Sequence, residues 1–174
     1  MAAVRRDHVW VDGDELRFRF PAKSGQTREA VVEDPVVRTL VRELRDRDDP
    51  RDELLAWQDA DGRWRDVTTA DVQADVKARL GEQAPPKDFR TWHATVLAAQ
   101  GLAAAGPPPG SDRGRRRVVA AVVRDVAEAL GNTPAVCRAS YIDPRLIDLW
   151  ERGRTIGTTR TRGGAERATL DLLS

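Results

Sequence analysis

The chain has 174 residues, 40% of them hydrophobic and 33% charged, with 29 lysines and arginines against 28 acidic residues. Such proportions supply a core and a solvated surface, which excludes global disorder, and a net charge of +1 excludes inferring nucleic-acid binding from bulk charge. One cysteine and two histidines leave no internal disulfide and too few soft ligands for a zinc centre, and no apolar run approaches the roughly 20 residues that span a bilayer.

The first third reads as a β-meander. His8-Val9-Trp10-Val11 is a short apolar run ending at the turn Asp12-Gly13-Asp14, after which Leu16, Phe18 and Phe20 alternate with Arg17 and Arg19 in the period of a strand. Ala22-Lys23-Ser24-Gly25 supplies a second turn, and Ala30, Val31 and Val32 return as a third strand. Asp34-Pro35 has the form of an N-cap followed by proline at the first helical position, and Val36, Val37, Leu40, Val41 and Leu44 make the apolar face of the helix it starts. A small hairpin is expected around Asp61-Gly62, then a helix capped by Thr68 or Thr69 with Val72, Val76 and Leu80 on one face. Residues 87–105 form a further helix, residues 106–111 a proline-rich loop, and residues 115–130 a helix stopped by Gly131. Thr133-Pro134 and Asp143-Pro144 repeat the cap-then-proline signature and start two short helices, and a last helix covers residues 165–173. The expected fold is α+β: an antiparallel meander over residues 1–33 followed by a mainly helical region over 34–174, about six helices in one structural domain.

Charge is unevenly spread. The segment 111–174 holds twelve arginines, no lysine and eight acidic residues, so its whole basic excess is guanidinium, the group suited to forked contacts with phosphate. Tyr141, the sole tyrosine, lies in this segment.

Three stretches, in this order, resemble type IB DNA topoisomerases of the bacterial and poxvirus kind. They are Phe18-Arg19-Phe20-Pro21-Ala22-Lys23-Ser24-Gly25, then Lys87-Asp88-Phe89-Arg90-Thr91-Trp92, then Leu130-Gly131-Asn132-Thr133-Pro134-Ala135-Val136-Cys137-Arg138-Ala139-Ser140-Tyr141. Taken singly, each residue has a plainer reading. A helical tyrosine usually packs, Lys23 is an ordinary turn lysine, Arg90 could pair with Asp88 or Glu82, and the Arg113–Arg117 cluster is a solvated face. The ordered triple outweighs these.

The resemblance implies a catalytic domain of the topoisomerase IB and tyrosine recombinase type. Tyr141 is then the nucleophile that becomes joined to a 3′ phosphate, and Arg90 clamps a non-bridging oxygen, a donor worth about 3 kcal/mol in the transition state. Lys23 is the general acid for the departing 5′ oxygen. Asn132, nine residues before Tyr141, stands where poxvirus members carry histidine and donates a hydrogen bond without charge. Arg138, Lys87, Arg115 and Arg116 are expected to contact DNA. The implied partner is double-stranded DNA, bound by a monomer in the cytoplasm near the nucleoid, with no metal, small-molecule cofactor or membrane involved. A second clamp arginine, in an Arg–hydrophobic–Gly-Asn motif upstream of the lysine hairpin, has no counterpart, since Arg5 and Arg6 lie too close to the first strand. The chain therefore reads as a fragment or a shortened relative, expected to relax supercoils weakly or not at all. Strand exchange of the recombinase or integrase type and a non-catalytic DNA-binding module remain alternatives.

Overall fold

Three strands, β1 (Val9–Asp12), β2 (Glu15–Pro21) and β3 (Thr27–Val32), pair as an antiparallel meander in the computed structural model, which describes residues 4–21 and 27–174. Register follows the alternation in the sequence: Val9 faces Phe18, Leu16 faces Val32, and pairing continues to Pro21 opposite Thr27. Lys23 and the turn that carries it lie outside the described residues. The chain divides into two compact units, Met1–Glu82 and Gln83–Ser174. The boundary expected near residue 33 falls inside the first unit, between β3 and the helix that follows.

In the first unit, α1 (Pro35–Asp46) starts as its sequence signature requires, with Asp34 Oδ1 accepting hydrogen bonds from the backbone N–H of Val36 and Val37. Its apolar face is buried only in part. Val41 and Leu44 join Val9, Leu16 and Leu54 in the core, whereas Val36 and Leu40 of the same apolar face are 76% and 52% exposed. A two-stranded hairpin, β4 (Ala56–Gln58) and β5 (Trp64–Asp66), surrounds Asp61-Gly62 as expected. α2 (Thr69–Leu80) is capped by Thr68 in a reciprocal box with Asp71, but its Leu80 is exposed rather than packed. Arg47 is the buried polar anchor of this unit. Its guanidinium donates to the carbonyls of Leu44 (2.6 Å), Leu54 (2.9 Å) and Glu53, pairs with Asp49 at 3.2 Å and lies over the Trp64 ring. An arginine can be sunk here because each of its three guanidinium nitrogens meets an acceptor.

The second unit is all helical. α3 (Lys87–Ala104) and α4 (Asp112–Leu130) are joined by the proline-rich loop, and α5 (Pro134–Ser140), α6 (Arg145–Glu151) and α7 (Arg162–Leu173) complete it. Seven α-helices are present among the described residues, each where the sequence indicates one, although the expected total was about six. α4 begins three residues earlier than periodicity indicated, because Ser111 accepts from the Gly114 N–H and caps it. α7 likewise begins three residues early, capped by Thr161. The core combines Ala94, Ala98, Ala99 and Leu102 of α3 with Val119, Val122, Val123, Val126 and Leu130 of α4. Small alanines let the helices approach closely: a Cβ on Gly101 would stand 2.9 Å from Val122 Cγ1. Trp150 of α6 is 1% exposed, and its indole N–H donates to the Gly106 carbonyl at 2.9 Å, tying the proline-rich loop to the core.

Candidate DNA-cleavage site

α4 ends in a Schellman turn. Gly131 takes a left-handed conformation (φ 63°, ψ 46°), its N–H returns to the Glu128 carbonyl, and the Asn132 N–H reaches Ala127 at 2.8 Å. The turn leaves the Leu130 carbonyl facing outward, where it accepts a hydrogen bond from Arg90 Nη2 at 2.5 Å. A guanidinium at the carbonyl end of α4 also meets the negative pole of that helix.

The turn also places Asn132 before α5. Its Nδ2 is buried and has no hydrogen-bond partner. A buried amide donor left unpaired costs about 1–3 kcal/mol, so a water or a ligand oxygen would have to serve it. Thr133 then caps α5 by accepting from the Val136 N–H, and Pro134 fixes the first helical residue.

α5 ends at Tyr141, whose N–H and that of Ile142 both return to the Cys137 carbonyl, at 3.0 and 3.2 Å. Cys137 and Ile142 are buried, while Tyr141 between them is half-buried. The Tyr141 ring packs against the core edge and has the Arg90 guanidinium 5.4 Å from its centroid. Arg90 forms no ion pair with Asp88 or Glu82. The plainer expectation of a surface pair is not what the geometry shows. Cys137 is fully buried, and burial pushes its thiol above its ordinary value, only partly offset by the nearby Arg90 charge.

Other elements hold the tyrosine segment from behind. Thr95 of α3, 3% exposed, donates from Oγ1 to the Tyr141 carbonyl at 3.2 Å and accepts from the Asp143 N–H at 3.3 Å. The Asp143 carboxyl is held below the usual carboxylate range, first by the Arg145 guanidinium, against the opposing effect of burial. Its Oδ1 accepts from the Arg145 N–H, so it supports the start of α6 although Pro144 occupies the cap position. Tyr141, Thr91, Trp92, Thr95 and Asp143 line a cavity of about 600 Å3.

Sequence reasoning named Arg90, Asn132 and Tyr141, and the structure brings Arg90 onto the Tyr141 ring and onto the carbonyl two residues before Asn132. Arg138 is exposed on α5 and Lys87 is exposed at the first position of α3, neither with an ion pair among the described residues. Arg115 and Arg116 lie at the far end of α4, about 21 Å along its axis from Leu130. Arg116 projects to solvent, but Arg115 bridges Asp112 and the carbonyls of Pro109 (3.1 Å) and Gly110 (3.3 Å). Lys23 lies outside the described residues. No group of His, Cys, Asp and Glu among the described residues could hold a metal ion, and no described helix is long and apolar enough to cross a membrane. Thr95 was missed, since no pattern in the sequence distinguishes it from other helical threonines.

The family model described as eukaryotic DNA topoisomerase I, catalytic core, matches residues 1–149, a span that includes Arg90, Asn132 and Tyr141. No curated protein matches the chain. The match covers most of the sequence, and the chain belongs to the DNA topoisomerase I catalytic-core family, whose substrate is DNA.

Proposed function

We propose that this chain cleaves and reseals one strand of duplex DNA through Tyr141. The phenol gives up its proton to water as its oxygen attacks the phosphorus, the bond from phosphorus to the 5′ oxygen breaks, and the 3′ phosphate stays joined to Tyr141. The departing 5′ oxygen takes a proton from Lys23. After strand rotation the 5′ hydroxyl attacks the phosphotyrosine and expels the phenol. The ester conserves the bond energy, so the cycle consumes no ATP, and the roles assigned here to Tyr141, Arg90, Lys23 and Asn132 route no step through a metal.

The observation that carries this reading is the convergence of Arg90 on the Tyr141 ring at 5.4 Å, beside the turn that holds the unpaired Asn132 Nδ2. Phosphate oxygen is the acceptor that suits both donors: Arg90 supplies a charged fork and Asn132 a neutral amide. Arg138, Lys87 and Arg116, all exposed, extend the surface toward neighbouring phosphates. Arg115 contributes by shaping the proline-rich loop that Arg116 follows. Binding is read chiefly through the DNA backbone by a monomer, and it weakens steeply with salt. The wording from Leu130 to Tyr141 favours the bacterial and poxvirus branch of the family, and asparagine at 132 favours its bacterial side.

The test is a nicked suicide substrate resolved on a denaturing gel. The chain should form a protein–DNA adduct and its Tyr141→Phe variant none. Equal adduct with both proteins would defeat the assignment, and salt-dependent DNA binding with no adduct from either would leave a non-catalytic DNA-binding module.

A further inference from the structure

We infer that Thr95 is a positioning residue for the nucleophile, setting the backbone of Tyr141 through a hydroxyl that bonds both sides of it. This rests on the reading of Tyr141 as nucleophile and adds a residue which that reading does not contain.

Threonines inside helices usually turn the hydroxyl back onto the carbonyl four residues earlier. Thr39 does so to Pro35 at 3.0 Å, Thr91 to Lys87 at 3.4 Å, and Thr169 to Ala165 at 2.7 Å. Thr95 departs from the pattern. Its Oγ1 leaves α3 and reaches the turn between α5 and α6, donating to the Tyr141 carbonyl and accepting from the Asp143 N–H.

The position suits the task. Tyr141 is the C-cap of α5 (φ −128°, ψ −22°), so the helix fixes its N–H but leaves its carbonyl unbound. The Cys137 carbonyl takes the N–H of both Tyr141 and Ile142, and Thr95 takes the Tyr141 carbonyl and the next free N–H, that of Asp143. The peptide groups on both sides of Tyr141 are thereby held, and one torsion about Cα–Cβ decides where the phenol points. The hydroxyl is 3% exposed with its residue, so water does not replace it readily when it is removed.

α3 also carries Arg90, five residues before Thr95, so one rigid helix presents the phosphate clamp and holds the nucleophile. A reacting pair needs its atoms within a few tenths of an ångström of the attack geometry, and an error of about 1 Å reduces the rate about a hundredfold. Thr95 and Arg90 share the frame that keeps this error small.

The experiment compares Thr95→Val, which replaces the hydroxyl by a methyl of similar size, with Thr95→Ser, which keeps it. Single-turnover adduct formation on the suicide substrate, DNA affinity and exchange of the Asp143 amide are measured for the full chain. Expected are a loss of at least about tenfold in cleavage rate for Thr95→Val with unchanged DNA affinity, near-complete rescue in Thr95→Ser, and faster Asp143 exchange in the valine variant only. Wild-type cleavage by Thr95→Val, or an equal loss in Thr95→Ser, overturns the inference. If the wild type forms no adduct, the nucleophile reading fails. Exchange then decides the role of Thr95 alone: an Asp143 amide equally protected in valine and wild type refutes the clamp, and selective deprotection supports it.

Discussion

Gly131 is the hinge on which the site turns, and replacing it has a calculable effect. Its φ of 63° and ψ of 46° lie in the left-handed region, where an L side chain brings Cβ against the following carbonyl at a cost of about 1–2 kcal/mol. Asparagine tolerates the region, so Gly131→Asn should lose only a few tenths of a kcal/mol. Gly131→Ala should lose about 1 kcal/mol, and Gly131→Val should approach or exceed 2, because branching at Cβ adds to the clash. For a helical unit of this size 1 kcal/mol corresponds to a fall of about 4–8 °C in Tm. Denaturant unfolding followed by circular dichroism gives the difference directly, with a calorimetric scan as the check. The order Gly, Asn, Ala, Val is the signature. An alanine variant as stable as the glycine parent, or an asparagine variant worse than alanine, would refute the left-handed turn and with it the placement of Asn132.

Three further outcomes are expected. Arg90→Lys keeps the charge but loses the fork, and single-turnover cleavage should fall by about 10²–10³-fold; an unchanged rate would remove Arg90 from the phosphate. Trp150→Phe leaves the Gly106 carbonyl without its donor and should lower unfolding free energy by about 1–3 kcal/mol, read by denaturant titration, with no loss contradicting the loop tie. Burial works to raise the Asp49 carboxyl, but hydrogen bonds from Arg51 and Arg47 outweigh it and hold it below the usual range. A depressed value in the fold adds stability above the ordinary pKa of about 3.9, and that stability is lost as pH falls through the lower native value. The stability gap between wild type and Asp49→Asn should therefore narrow on acidification, and a gap constant with pH would refute the assignment.

Helix starts were the most legible feature. Asp34-Pro35 and Thr133-Pro134 each combine a side-chain acceptor with a preset φ, both local properties, and both helices begin there. Ser111 and Thr161 cap helices just as effectively, but without a following proline they passed for loop residues, and α4 and α7 were read three residues short. The exposed half of α1 was not legible for a different reason. Periodicity reports that Val36, Leu40 and Leu44 share a face, and only packing decides that Leu44 is covered and Val36 is not. At the site, motif wording pointed to Arg90, Asn132 and Tyr141, whereas the contact of Arg90 with the Leu130 carbonyl and the reach of Thr95 depend on helices 40 and 46 residues apart. The sequence groups Arg115 with Arg116, although the Arg115 side chain bonds the carbonyls of the proline-rich loop and Arg116 projects to solvent; a run of like residues carries no record of which carbonyls lie nearby.

The half-buried tyrosine between two buried neighbours has a mechanical consequence. A DNA end esterified to Tyr141 would pull on a backbone seated in the helical core by Cys137, one turn earlier, and by Ile142, directly after it. Drag on a swivelling strand would pass straight into that core, with no slack segment of protein to absorb it. The yielding parts would be the sugar–phosphate single bonds of the uncut strand opposite the break, so the free end could turn while the tethered end stays in register for rejoining.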